Sequence, residues 1–170
     1  MNATINLENK HFPVLLNELI SIISPLYGGT FIDCTFGQGG YSKKILENKK
    51  NNIIAIDRDK DVLTCASQFE KKYRNRFKFY NIKFSQLKII KPKNNDLKGI
   101  IFDLGYSLNQ IKNSKKGLSF NDKGKLNMRM GINDFSANDF ISNMDENNLS
   151  RVFKIFGDER YSKKIAREIV

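Results

Sequence analysis

Four short apolar runs, each joined to the next through a segment of helical spacing, set the narrowest limit on how this chain folds. Thr30 to Thr35 (TFIDCT), Ile53 to Ile56, Phe77 to Ile82 and Gly99 to Leu104 (GIIFDL) are continuous rather than alternating. Continuous runs of that length are the pattern of strands buried on both faces. Between them, Ser42 to about Asn48, Asp61 to about Lys72 and Phe84 to Ile90 read as helices. The order β-α-β-α-β-α-β predicts an α/β fold with a parallel sheet covered on both faces. A further helix over Val14 to Ile23, ending before Pro25, precedes the first strand.

The character changes after Leu104. Gly105 to Asn127 is polar and aperiodic, a length of loop that in a compact domain is usually functional or mobile. Three helices are expected beyond it: Ala137 to Ser142, Glu146 to Phe156, and Asp158 to Val170, the last opening on an acidic first turn of Asp158 and Glu159 that suits the helix dipole. The expected division is residues 1–105 and residues 106–170.

Composition narrows the function classes. No stretch approaches the roughly 20 apolar residues needed to span a bilayer, and the N-terminus lacks the apolar core of a secretory signal, so no membrane association is expected. Cys34 and Cys65 sit inside apolar patterns and make no paired framework, which fits a reduced, cytoplasmic protein. His11 is the only histidine, which excludes a histidine-rich metal site or a Ser-His relay; it reads as a structural or lid contact. The net charge is +11, and the excess is concentrated: Lys71 to Lys98 holds ten basic residues against Asp96, and Lys112 to Arg129 holds six against Asp122. A polyanion such as RNA is a fitting partner, although an Asn- and Lys-rich coding bias gives the same balance without a binding role.

Three constellations carry candidate chemistry. Asp33-Cys-Thr-Phe-Gly37-Gln-Gly39-Gly40 joins the first strand to the next helix, where glycines permit a tight turn and close approach to a ligand. Asp57 ends the second strand, 18 residues after Gly39, the separation at which an acid accepts ribose hydroxyls. Together these predict a cofactor containing adenosine, bound at the carboxyl ends of the strands. A pyrophosphate would call for a third glycine, where this chain has Tyr41, Ser42 and Lys43, and Asp33 would repel it while suiting the ammonium of a methionine group. The argument favours S-adenosylmethionine over a nicotinamide dinucleotide. The second constellation, Asp103-Leu-Gly105-Tyr106-Ser107, closes the fourth strand. Asp103 reads either as an acceptor for the hydrogens of an amine being methylated, with Tyr106 stacking on an extruded base, or as a cofactor contact with Tyr106 covering the crevice. The third, Lys116-Gly-Leu-Ser119-Phe120 with Leu126 to Met130, reads first as a solvated loop and second as a clamp for a phosphate backbone and a base.

These motifs resemble, nearly end to end, the RsmH (MraW) family of 16S ribosomal RNA cytosine-N4 methyltransferases. The matching segments are His11-Phe-Pro-Val-Leu, Asp33 to Ser42, Ile56-Asp57-Arg58-Asp59, Phe84-Ser85, Asp103 to Gln110, Gly117 to Phe120, Met128-Arg129-Met130 and Phe156 to Arg160 with Ile165 to Arg167. The resemblance implies an incomplete Rossmann-like class I methyltransferase core, here its N-terminal portion, running into an incomplete helical substrate-recognition insertion. It implies S-adenosylmethionine contacts at Gly39, Gly40, Tyr41, Asp57, Phe84, Asp103 and Gln110, with Phe84 near the adenine. It implies a target cytosine near the decoding centre of the small ribosomal subunit, with a homodimer left open as the assembly. The chain departs from the family at Tyr41, usually His; at Leu108 and Asn109, within the usual Ser-Ser-Pro-Gln; at Lys116, usually Arg; at Asn127, usually Asp; and at Tyr106, usually aliphatic. The fourth strand is expected to present an open apolar edge, leaving this length of chain marginally stable and poorly active.

Overall fold

A computed structural model of the chain describes residues 13–23, 25–92, 96–121 and 123–170. The chain divides into two compact units, residues 1–108 and 109–170.

The first unit is built on a parallel sheet of β1 (Gly29–Asp33), β2 (Asn51–Ile56), β3 (Phe77–Tyr80) and β4 (Leu97–Ile101), in the order β3-β2-β1-β4. The register places Phe31 beside Ile53 on one side and Gly99 on the other, and Asp33 beside Ala55 and Ile101. Every residue of β1 is buried, as its unbroken apolar run predicts for a central strand. Successive side chains alternate between the sheet faces. One face carries Phe31, Ile53, Ala55, Phe77 and Ile101 in the larger core cluster, against which α1 (Leu16–Ile23) packs Leu16, Leu19, Ile20 and Ile23. Also on this cluster are α2 (Gly40–Ile45), through Tyr41 and Ile45, and α3 (Leu63–Tyr73), through Ala66 and Phe69. Phe36, Phe69 and Phe77 interlock there with ring centroids 5.2 to 5.4 Å apart.

The opposite face holds a smaller cluster of Ile32, Cys34, Ile56 and Ile90, covered among the described residues by the 3-10 segment Phe84–Ile89, which supplies Leu87. Both faces are covered, as expected, but the cover is thinner on this one, where Ile100 of β4 is 41% exposed. The expected short α-helix at 84–90 is this 3-10 turn. Two boundaries also move for backbone reasons. α1 starts at Leu16 because Leu15 has φ 54°, which a helix cannot include. β4 stops at Ile101, so Phe102, Asp103 and Leu104 leave the sheet and are exposed.

The second unit contains α5 (Ala137–Asn143), α6 (Glu146–Gly157) and α7 (Ser162–Ile169), with the short α4 (Leu108–Lys112) at its start. Ser136 caps α5 reciprocally: its Oγ accepts from the Asp139 N–H at 3.0 Å, and Asp139 Oδ2 accepts from the Ser136 N–H at 2.9 Å. α6 and α7 meet over Leu149 and Ala166, both fully buried, and the buried hydroxyls of Ser150 and Ser162 lie 3.4 Å apart. The expected acidic first turn of the last helix is corrected. Asp158 adopts φ 49° and terminates α6, the Glu159 N–H returns to the Phe153 carbonyl at 3.1 Å, and α7 begins only at Ser162. No described helix is long and apolar enough to cross a membrane.

Candidate functional site

Strand order decides where a ligand can sit. From β1 the chain moves outward through β2 and β3 and then returns to place β4 on the other side of β1. The connections leaving β1 and β4 therefore diverge, and a crevice opens between their carboxyl ends. The glycine loop and the segment from Phe102 border it.

Two carboxylates tie the loop down, and a third acid, Asp103, is joined to it through its backbone. Asp33 is fully buried; Ser42 Oγ donates to its Oδ2 at 2.7 Å and the Thr35 N–H to its Oδ1 at 3.2 Å. Burial pushes its pKa up to about 6 against those two donors, and the charges of Asp57 and Asp103 push the same way. With both oxygens committed inside the protein, Asp33 shapes the turn, which corrects the expectation that it offers its charge directly to a ligand ammonium. Asp57 is half-buried and accepts the Gly37 N–H at 2.8 Å through Oδ2 and the Asp59 N–H at 2.8 Å through Oδ1. Burial raises its pKa despite these donors. Each oxygen retains acceptor capacity, so Asp57 can hold the loop and still receive a hydroxyl. Asp103 is exposed, with its backbone N–H held by Thr35 Oγ1 at 2.8 Å.

Between the loop and Asp103 lies Tyr41, buried on α2. Its hydroxyl donates to the Val14 carbonyl at 2.5 Å and stands 3.4 Å from Asp103 Oδ2. Burial, with the Asp103 carboxylate second, pushes its pKa up to about 12, so it remains a donor. Gly39 has φ 73°, and an added Cβ would strike the Phe69 and Phe36 rings, at 2.6 and 2.8 Å. Phe84 is 43% exposed and meets Phe102 edge-to-face at 5.7 Å, forming an apolar pair beside Asp103.

The structure thus brings Gly39, Gly40, Tyr41, Asp57 and Asp103 to one end of the sheet and ties Phe84 to that end through Phe102. Gln110 lies on α4, in the second unit. His11 lies outside the described residues. Thr35 and Phe102 were not singled out from sequence. Thr35 reads as the end of a strand, and Phe102 as sheet core inside GIIFDL, yet Phe102 is 47% exposed. Tyr106 is 65% exposed, whereas Lys116 is buried and is no ready phosphate contact. Burial also pushes the Cys34 thiol up to about 11, so it supplies no thiolate. Among the described residues no group of His, Cys, Asp and Glu is arranged to hold a metal ion.

An acid-lined crevice under a glycine turn suits a cationic nucleoside better than a pyrophosphate. Comparison with known proteins gives the same direction: the model of the MraW methylase family matches residues 8–170. The chain belongs to the MraW methylase family. It is similar to the ribosomal RNA small subunit methyltransferase H of Orientia tsutsugamushi (strain Ikeda), 41% identical over 164 residues, which cover 96% of this chain and 53% of that protein. Proteins of the same name from Rickettsia bellii (strain OSU 85-389), 38% identical over 96% of this chain and 53% of the relative, and from Wolbachia, 40% identical over 94% and 56%, match as well. The chain spans about half the length of these curated relatives. As a member of the MraW methylase family with a parallel four-stranded sheet, the chain carries part of a Rossmann-like methyltransferase core.

Proposed function

We propose that this chain is part of an S-adenosylmethionine-dependent enzyme that methylates the exocyclic N4 of a cytosine in 16S ribosomal RNA, near the decoding centre of the small subunit. The name shared by its relatives supports ribosomal RNA as substrate. The observation that carries the reading is the junction at the β1–β4 crevice, where Thr35 fixes the Asp103 backbone and Tyr41 stands beside the Asp103 carboxylate.

The residues present fit the cofactor: the accessible carboxylates of Asp57 and Asp103 favour a cation, and the exposed Phe84 and Phe102 rings offer an apolar surface for a purine. When bound, S-adenosylmethionine supplies an electrophilic methyl group on a sulfonium. Gly39 and Gly40 let the backbone approach the methionine portion, joined by Tyr41, and Asp57 receives the ribose hydroxyls. The family resemblance also implies a cofactor contact at Gln110. Asp103 accepts a hydrogen of the cytosine amine, whose lone pair is otherwise delocalised into the ring, and so directs the pair toward the methyl group. The second unit serves as the start of the substrate-recognition insertion, and the enzyme works in the cytoplasm.

The test is incubation of the encoded protein with unmodified small subunits and methyl-labelled cofactor, followed by nucleoside analysis. N4-methylcytidine, lost by about 100-fold or more in Asp103→Ala, is the expected result. Label on another atom, or none, overturns the reading.

A further inference from the structure

The polar loop between α4 and α5 has a built frame and an unsupported tip. Its two legs are clamped: the Met128 N–H donates to the Lys116 carbonyl at 2.7 Å, and Asn127 Nδ2 donates to the Lys115 carbonyl at 3.0 Å. Asn127 Oδ1 in turn accepts from Arg129 Nε at 2.8 Å, so this side chain works as a structural strut. The legs pass so closely that a Cβ on Gly117 would collide with the Lys125 carbonyl, and one on Gly124 with that of Ser114. Such a frame fixes what it carries, and at its tip it carries Phe120. That ring has 108% of its reference accessible area, while Ser119 Oγ accepts the Asn121 N–H at 3.2 Å beside it.

A phenyl group held in water on a rigid frame is poorly explained by folding, which favours its burial. Its surroundings indicate the missing partner. Lys112, Lys115, Lys123 and Lys125 are exposed, in a segment with a single acid, Asp122. A lone aromatic ring among lysines, with polar Ser119 and Asn121 on either side, lacks the several apolar side chains of a membrane-inserting loop. It matches the pairing of stacking surface and phosphate neutralisation used on unpaired nucleic acid.

We infer that Phe120 stacks on an unpaired base of the RNA substrate while the flanking lysines contact its backbone. The inference rests on the reading of RNA as substrate and adds a residue that grips it.

The chain contains no tryptophan, so Phe120→Trp creates a single fluorescent reporter at the tip. Titration with a single-stranded fragment of 16S RNA is expected to quench its emission at least twofold, and a blunt duplex of equal length much less. Phe120→Ala is expected to weaken binding of the single strand about tenfold, Phe120→Tyr to restore it, and the melting temperature to stay unchanged, since the ring supports no packing. Emission that is constant while RNA saturates the chain overturns the inference. So does an indole shielded from acrylamide before RNA is added, which would mean that protein covers the ring, or wild-type affinity in Phe120→Ala. Methyl transfer that persists without quenching removes this inference alone; quenching without methyl transfer removes the enzymatic reading alone.

Discussion

Asp33 holds a carboxyl that folding makes harder to ionise. Its pKa near 6 lies above the ordinary 3.8, so between about pH 4 and pH 6 the folded chain binds more protons than the unfolded one. Stability conferred by this group is therefore complete at low pH and is lost as pH rises through 6, by about 3 kcal/mol. Urea unfolding at pH 4.5 and 7 is expected to show about 2 kcal/mol of that fall in the parent and a flatter profile in Asp33→Asn. At Tyr41 the hydroxyl has one proton and two acceptors, Val14 and Asp103. Tyr41→Phe is expected to cost about 1 kcal/mol of stability and to weaken S-adenosylhomocysteine binding severalfold, as calorimetry would read. Asp57 was legible as a candidate because it directly follows the apolar run of β2, and Asp103 because it lies at the end of GIIFDL, although β4 itself stops two residues earlier, at Ile101. Thr35 and Phe102 were not, because periodicity cannot tell where a strand leaves its sheet. Asp33 was legible as an acid at the loop but not as a buried one, since burial depends on Ser42, a residue that sequence spacing does not join to it.

Elements carry their own signals in different strengths. The strands were readable as apolar runs and α6 as a helix from Glu146; the structure adds its cap, Asp145, whose side chain accepts the Asn148 N–H at 2.8 Å. The end of α6 was hidden because Asp158 stops the helix through backbone conformation, φ 49°, and nothing in an aspartate announces that. The join between β1 and α2 is the element on which the site depends most. Gly39→Ala would force a Cβ into the Phe36 and Phe69 rings at a positive φ. A loss of about 2 kcal/mol is expected, with binding of the cofactor product lost before the fold is. Chemical denaturation beside calorimetry separates the two effects. In the second unit, Leu149→Ala empties the fully buried contact between α6 and α7. It is expected to cost roughly 2–5 kcal/mol, visible as lost helical ellipticity.

Across the first unit, the sheet has two edge strands among the described residues, β3 and β4. Among the described residues β4 pairs only with β1, and its neighbours Leu97, Ile100 and Phe102 are each at least 39% exposed. An apolar edge of that kind invites strand addition. The 170-residue chain is expected to sediment with concentration-dependent mass, and Ile100→Lys to suppress it. The same β4 also governs the order in which the first unit comes together. The β1–β4 pairing joins residues further apart in the chain than β1–β2 or β2–β3, laying Leu97 beside Thr30, so it is expected to carry the largest loop-closure entropy and to close last. The carboxyl end of β4 is one wall of the crevice, pinned by the hydrogen bond from the Asp103 N–H to Thr35. A ligand held across that joint would act as a latch on β4, adding about 2.7 kcal/mol at a hundred times its Kd, and deuterium is expected to enter β4 first whenever the latch is off.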